Sequence, residues 1–154
     1  MAEGIKILLE CALLAMVPVV ELRGALPWGI AHGLPAWQAY GLCVICNMIP
    51  VPFLLRFITR ILAWMDTRPR LRPASRWIAE HGQKKLGTYR NYEMLGLFLL
   101  VAIPLPGTGA WTGALVAALT GLRLKNAFWP IFLGVAAAGA VTLAVSMGAA
   151  AVLG

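Results

Sequence analysis

Two residues that could carry chemistry, Glu21 and Arg23, lie two positions apart in an otherwise apolar third of the chain, within residues 18–27. A charged side chain at membrane depth is costly unless it is paired, hydrated or neutralised, so such residues line a bundle interior or a cavity and mark a substrate or proton path. We interpret this pair as the functional centre. The alternative is a salt bridge at a helix end near the lipid headgroups.

The composition predicts an integral membrane protein. Hydrophobic residues make up 60% of the chain and charged residues only 12%, which exceeds what a soluble core would bury. The formal net charge is +7, but seven of the 13 Lys and Arg residues lie between Arg68 and Arg90. Such a cluster beside apolar spans indicates a cytoplasmic loop that contacts anionic lipid, not a nucleic-acid partner. We predict this basic cytoplasmic loop at residues 66–93.

The first half of the chain predicts a broken hairpin followed by a membrane crossing. Residues 4–35 contain Pro18, Gly24 and Pro27 around the charged pair, which favours two half-helices that enter and leave by the same membrane face, a re-entrant hairpin. Residues 37–65 are long and apolar enough to cross the membrane, with a kink at Pro50 and Pro52.

The second half repeats this pattern. Residues 94–122 carry two prolines and two glycines in six positions, from Pro104 to Gly109, which favours a second re-entrant hairpin. One tilted, proline-kinked span is the alternative. Residues 126–154 predict a second crossing rich in Ala and Gly. The predicted fold is an all-α integral membrane protein of two inverted repeats, each a re-entrant hairpin plus a transmembrane helix, with both termini outside.

The two breaks also carry a resemblance. Residues 21–27 (Glu-Leu-Arg-Gly-Ala-Leu-Pro) and 104–113 (Pro-Leu-Pro-Gly-Thr-Gly-Ala-Trp-Thr-Gly) resemble the paired motifs of the small multidrug export protein family, which is similar in plan to the DedA membrane proteins. The resemblance implies a small transporter with two re-entrant hairpins. DedA relatives are linked to proton-coupled handling of lipid phosphates, and the motif positions of interest are Glu21, Arg23, Pro104 and Pro106.

The expected substrate site lies where the two breaks meet near the membrane midplane, with half-helix N-termini directed into one cavity. Arg23 and Thr108 supply donors suited to an anion. Glu21 is the natural proton carrier. Asn47 is a secondary candidate whose alternative role is an interhelical hydrogen bond. The predicted substrate-binding residues are Arg23, Gly24, Pro104, Pro106, Gly107, Thr108 and Gly109.

These residues predict a small secondary transporter, proton-coupled and favouring an anionic head group, and the resemblance to DedA proteins implies that this head group is lipid-phosphate-like. One alternative is an exporter of small lipophilic or cationic compounds. The other is a non-transporting membrane scaffold, because Gly29-x-x-x-Gly33 and Gly109-x-x-x-Gly113 suit helix packing. We expect no enzyme, because the chain has no H-E-x-x-H pattern and His32 and His81 are far apart in sequence. No cofactor or metal is expected.

The three cysteines, Cys11, Cys43 and Cys46, lie in apolar runs. The spacing Cys43-x-x-Cys46 is compatible with a redox pair, and small buried residues in a packed helix are the interpretation that we favour. A chain of this size, rich in small residues, is expected to form a homodimer in contact with membrane lipids. Its expected location is the cell inner (plasma) membrane, which it crosses more than once.

Overall fold

All regular secondary structure in the described part of the chain is helical. The computed structural model describes residues 2–77, 90–103, 105 and 107–153, which include a helical segment at 72–77 besides seven longer helices. The all-α class is therefore confirmed. The helices are α1 (Ala2–Met16), α2 (Glu21–Ala31), α3 (Ala36–Met48), α4 (Pro50–Asp66), α5 (Arg90–Ala102), α6 (Ala110–Leu119) and α7 (Leu124–Leu153).

Helices α1 and α2 form a hairpin that turns at residues 17–20, which we call the first elbow. The arms lie side by side, and the Cys11 thiol donates to the Ala25 carbonyl at 3.3 Å. With 15 and 11 residues, the arms are only about 22 and 16 Å long at about 1.5 Å per residue. Both are shorter than the hydrocarbon core of a bilayer, which is about 30 Å thick.

Helices α5 and α6 form a second hairpin, which turns at residues 103–109, the second elbow. A Cβ added at Gly113 would lie 2.6 Å from Val101 Cγ2, so residues on opposite sides of the elbow are in contact. The chain therefore reverses here and does not continue as one kinked span. The arms have 13 and 10 residues, again less than a bilayer crossing.

Two segments of the described chain are long and apolar enough to cross a membrane. They are Ala36–Asp66, which is α3 and α4 with a bend at Ile49, and Leu124–Ala149 of α7, with mean hydropathies of 1.9 and 2.0. Only 39% and 28% of their apolar windows are buried in the protein, whereas the core helix of a soluble protein would be mostly buried. Large apolar side chains such as Phe53 (71% exposed) and Val145 (66% exposed) point outward, as lipid contact requires.

The two halves pack together through their long helices. Helix α3 lies against α7, and the second arm of each hairpin packs against the long helix of the other half, α2 on α7 and α6 on α4. A Cβ at Gly139 of α7 would come within 2.8 Å of the Tyr40 ring, and the Tyr40 hydroxyl donates to the Ala136 carbonyl at 3.0 Å. This arrangement brings the two elbows together.

The predicted basic loop at 66–93 can be followed only in part, because residues 78–89 lie outside the described ranges. After α4, Asp66 forms ion pairs with Arg72 at 3.9 Å and Arg76 at 3.8 Å. The Ser75 hydroxyl donates to the same carboxylate at 3.2 Å. These contacts fold the start of the basic segment back against the end of α4.

Candidate functional site at the two elbows

Glu21 begins α2 in an unusual backbone conformation. Its φ is +49°, a left-handed value that non-glycine residues seldom adopt and that tends to occur at functional sites. The side chain is only 7% exposed. Its Oε1 accepts a hydrogen bond from the Trp111 backbone N–H at 3.4 Å, at the start of α6. The first elbow thus directs a carboxylate at the N-terminus of a helix in the second hairpin.

That helix has no side-chain cap of its own, because its N-cap residue is Gly109. The free N–H groups and the positive dipole end of a helix N-terminus stabilise a carboxylate. A Cβ at Gly109 would overlap the Glu21 carboxylate. Glycine is therefore required here for close approach, and Glu21 takes the place of the missing cap.

Arg23 binds the other side of the second elbow. Its Nη1 donates to the Leu105 carbonyl, and its Nη2 lies 3.3 Å from the Val101 carbonyl, 3.1 Å from the Ile103 carbonyl and 3.3 Å from Thr108 Oγ1. Carbonyls at a helix C-terminus lack partners within the helix and favour a cation. Arg23 thus caps the end of α5, as Glu21 caps the start of α6.

Glu21 and Arg23 do not pair with each other. The ion pairs within 4.0 Å in the described chain join Lys6 with Glu10 and Asp66 with two arginines. Side chains two residues apart on a helix point in different directions, so each of these two reaches a different end of the second elbow. The alternative of a Glu21–Arg23 salt bridge does not describe this structure.

A cleft of about 510 Å³ opens between the elbows. It is lined by residues 18–21, 23 and 24 of the first hairpin and by Leu105, Gly107, Thr108 and Thr112 of the second. Of the predicted site residues, Glu21, Arg23, Gly24, Gly107 and Thr108 line the cleft, and Gly109 lies against the Glu21 carboxylate. Pro104 and Pro106 lie outside the described residues.

Asn47 lies on α3, in the interior of the helix bundle. Its side chain is 2% exposed and its Oδ1 has no hydrogen-bond partner, so this atom does not make the interhelical hydrogen bond that was the alternative role. Asn47 borders a second, much smaller cavity together with Glu21, Arg23 and Gly109. The structure thus places Asn47 beside the predicted site.

Trp111 was not predicted as a site residue, although it joins the two elbows. Its indole Nε1 donates to the Met16 carbonyl at 3.1 Å, while its backbone N–H donates to Glu21. The available signal was the position of Trp111 just after a helix break. The partner, a free carbonyl at the end of α1, is distant in sequence and could not be inferred.

The cysteines form part of the packed interior. Cys43 Sγ lies 3.5 Å from Cys11 Sγ on α1, and Cys11, Cys43 and Cys46 are all buried.

No three side chains of His, Cys, Asp or Glu come together as a possible metal site within the part of the chain that the structure describes.

Two apolar spans, two helix hairpins and a polar site where the hairpins turn define this chain as a helical membrane protein. The family model described as "Putative small multi-drug export protein" matches residues 21–141, and the chain belongs to this family. The match begins at Glu21 and includes the second elbow. No curated protein and no solved structure matches the chain. The family description is that of an exporter, broadly a transporter, and the resemblance to DedA proteins stays a prediction.

Proposed function

We propose that this protein is a small secondary transporter, coupled to protons, whose substrate site is the cleft between the two elbows. The observation that supports the proposal is that Glu21 and Arg23 cross from the first hairpin to hold both helix ends of the second. Buried charge is costly in an apolar bundle, and packing of the two hairpins alone does not require it.

The proposed topology follows from the lengths of the arms. Because each arm is shorter than a bilayer crossing, both hairpins are taken as re-entrant, with the elbows near the midplane. The two halves are then inverted repeats in a multi-pass protein of the inner (plasma) membrane, with the basic segment in the cytoplasm.

The proposed substrate carries an anionic, phosphate-like head group. Arg23 now donates to neutral carbonyls and a hydroxyl, and a phosphate oxygen is a stronger acceptor for a guanidinium. An anion that enters the cleft would compete with the α5 carbonyls for Arg23. Because Arg23 ties α2 to the end of α5, substrate binding would loosen the contact between the two elbows.

Glu21 is the proposed proton carrier. As a carboxylate it is stabilised at the N-terminus of α6, and protonation would remove the charge that this helix end attracts. Protonation at Glu21 and anion binding at Arg23 therefore weaken two contacts between the same elbows. This shared effect gives a physical route for coupling proton and substrate movement.

Export of small drugs, here considered as lipophilic cations, is a second candidate, and the family description names multi-drug export. The cleft has apolar walls at Val19, Val20 and Leu105, and Glu21 also lines it. In this alternative Glu21 is the counter-charge for the cation, and a proton and the cation compete for it.

The proposed anion site is tested by native mass spectrometry of detergent-purified wild type, Arg23→Ala and a matched control, Arg60→Ala on α4. We expect wild type and the control to retain a phosphate-headed lipid and Arg23→Ala to lose it. The same spectra report the mass of the proposed homodimer. Equal lipid retention in all three proteins would contradict the anion site.

Coupling is tested in proteoliposomes that contain a pH-sensitive dye. Addition of a phosphate-headed lipid should drive proton movement in wild type but not in Glu21→Gln, with Glu10→Gln on α1 as the control. A response to a lipophilic cation instead of the anionic lipid would favour the second candidate. No proton movement with either compound would leave the scaffold interpretation.

A further inference from the structure

The side chain of Asn47 carries a buried amide oxygen that accepts no hydrogen bond from the protein. Asn47 is 2% exposed, and its Oδ1 has no hydrogen-bond partner. Buried polar atoms in folded proteins nearly always have a partner, which is often an ordered water molecule. An unpaired amide oxygen at this depth therefore points to a bound group.

The space beside Asn47 has room for one small occupant. The cavity there measures about 10 Å³, close to the volume that one water molecule needs. Glu21, Arg23 and Asn47 are its polar side chains, while Val101, Val135 and Ala138 border it from α5 and α7. Glu21 borders both this cavity and the larger cleft, so one residue connects the two spaces.

An occupant that partners both Asn47 and Glu21 donates hydrogen bonds to them, because the unpartnered atom of Asn47 is its amide oxygen. Asn47 Oδ1 accepts, and an ionised carboxylate only accepts. A hard metal cation would need about six oxygen ligands, and the Arg23 guanidinium that also borders the cavity would repel it. Water has two O–H donors and carries no charge.

We propose that one buried water molecule occupies this cavity, donates one hydrogen to Asn47 Oδ1 and the other to the Glu21 carboxylate, and makes Asn47 a positioning residue for proton exchange at Glu21. The role in proton exchange rests on the proposed function, whereas the water site does not. With this water, the Glu21 carboxylate is hydrated from the interior as well as from the cleft.

The water is tested by crystal structures, at a resolution that shows ordered water, of wild type and Asn47→Leu. We expect a single peak within hydrogen-bond distance of Asn47 Oδ1 and Glu21 in wild type and no peak in the variant. An empty wild-type cavity would overturn the proposal, as would a protein donor on Oδ1. Crystals soaked in thallium should show no anomalous peak, since such a peak would identify a cation site instead.

Asn47's influence on Glu21 is tested by infrared pH titration. The protonated carboxyl band of Glu21 is assigned by its loss in Glu21→Gln. In Asn47→Leu, loss of the water removes a donor to the charged form, so we expect half-protonation at a pH higher by about one unit or more. Asn126→Leu, the same change at the start of α7, should titrate like wild type.

A second variant separates hydration from packing. Asn47→Ser keeps a hydroxyl acceptor and leaves more space for water, so its titration should stay near that of wild type. Superimposable curves for wild type and Asn47→Leu would overturn the proposal, and so would equal shifts in the Ser and Leu variants. Neither the crystal structures nor the infrared titration depends on transport. A protein that holds the water but moves no substrate would therefore refute the proposed function and leave the water site standing.

Discussion

At the scale of single residues, the site depends on two charged side chains that each serve a helix of the opposite hairpin. Glu21 and Arg23 lie two positions apart in sequence and look like an ion pair, but the structure directs them to the start of α6 and the end of α5. Their motif and their depth in an apolar chain could be predicted from sequence. Their partners could not, because those partners are backbone groups freed by a distant helix break.

Gly109→Ala should destabilise the protein, because the new methyl group would occupy the position of the Glu21 carboxylate. Overpacking of this kind costs about 1–3 kcal/mol, measured as a lower free energy of unfolding in detergent. Gly96→Ala is the matched control, since a Cβ there meets nothing within 4 Å. The control should be neutral or more stable, as alanine favours a helix interior. Equal effects would contradict the close contact at Gly109.

Trp111→Phe should weaken the contact between the elbows by removing the indole donor to the Met16 carbonyl. Loss of one such hydrogen bond, with a carbonyl left unpaired, costs about 1–3 kcal/mol. Trp129→Phe changes an indole that is 62% exposed and should alter stability little. Thermal unfolding of both variants measures the difference, and equal shifts would show that the bond contributes nothing.

At the scale of helices, local residue types determine where the helices break, whereas contacts between distant segments determine how the hairpins pack. The first break follows from Pro18, and Gly107 adopts a φ of +80° in the second, which glycine tolerates. The close approach of α5 and α7 was harder to predict from the sequence. It depends on Gly134, whose missing side chain makes room for Val101, and no local pattern distinguishes this glycine from others in the same Ala- and Gly-rich helix.

Gly134→Ala should therefore separate α5 from α7. A Cβ there would lie 2.7 Å from Val101 Cβ and 2.9 Å from the Phe98 carbonyl, and neither atom belongs to the far end of a flexible side chain. We expect a loss of about 1–3 kcal/mol in the free energy of unfolding. Gly148→Ala in the same helix, where nothing lies within 4 Å, should cost nothing. A stable Gly134→Ala protein would contradict the packing.

At the scale of the whole molecule, two long apolar segments and two short-armed hairpins indicate which parts cross the bilayer. Length and hydropathy alone predicted the two spans, because the hydrocarbon core has a fixed thickness. The depth of the two elbows is a property of the protein in lipid, and the proposal that they lie near the midplane comes from the lengths of the arms.

A spin label at Val17→Cys should report the depth of the first elbow, because Val17 is 42% exposed and is not among the residues that line the cleft. A re-entrant hairpin places the label near the midplane, so collisions with oxygen should dominate over collisions with a water-soluble nickel complex. A label at Arg70→Cys, in the exposed basic segment, should show the opposite preference. A Val17 label that responds mainly to the nickel complex would mean that the hairpin crosses to the far surface.

The packing of each hairpin's second arm against the other half has a consequence for biosynthesis. Helix α2 packs against α1 and α3 and also against α7, and α7 is synthesised after the six other long helices. Glu21 and Arg23 likewise have no partners until the second elbow has been made. Until α6 and α7 have been synthesised, the first half therefore has two unpaired charges and an uncovered face, which the insertion machinery or neighbouring lipids would shelter.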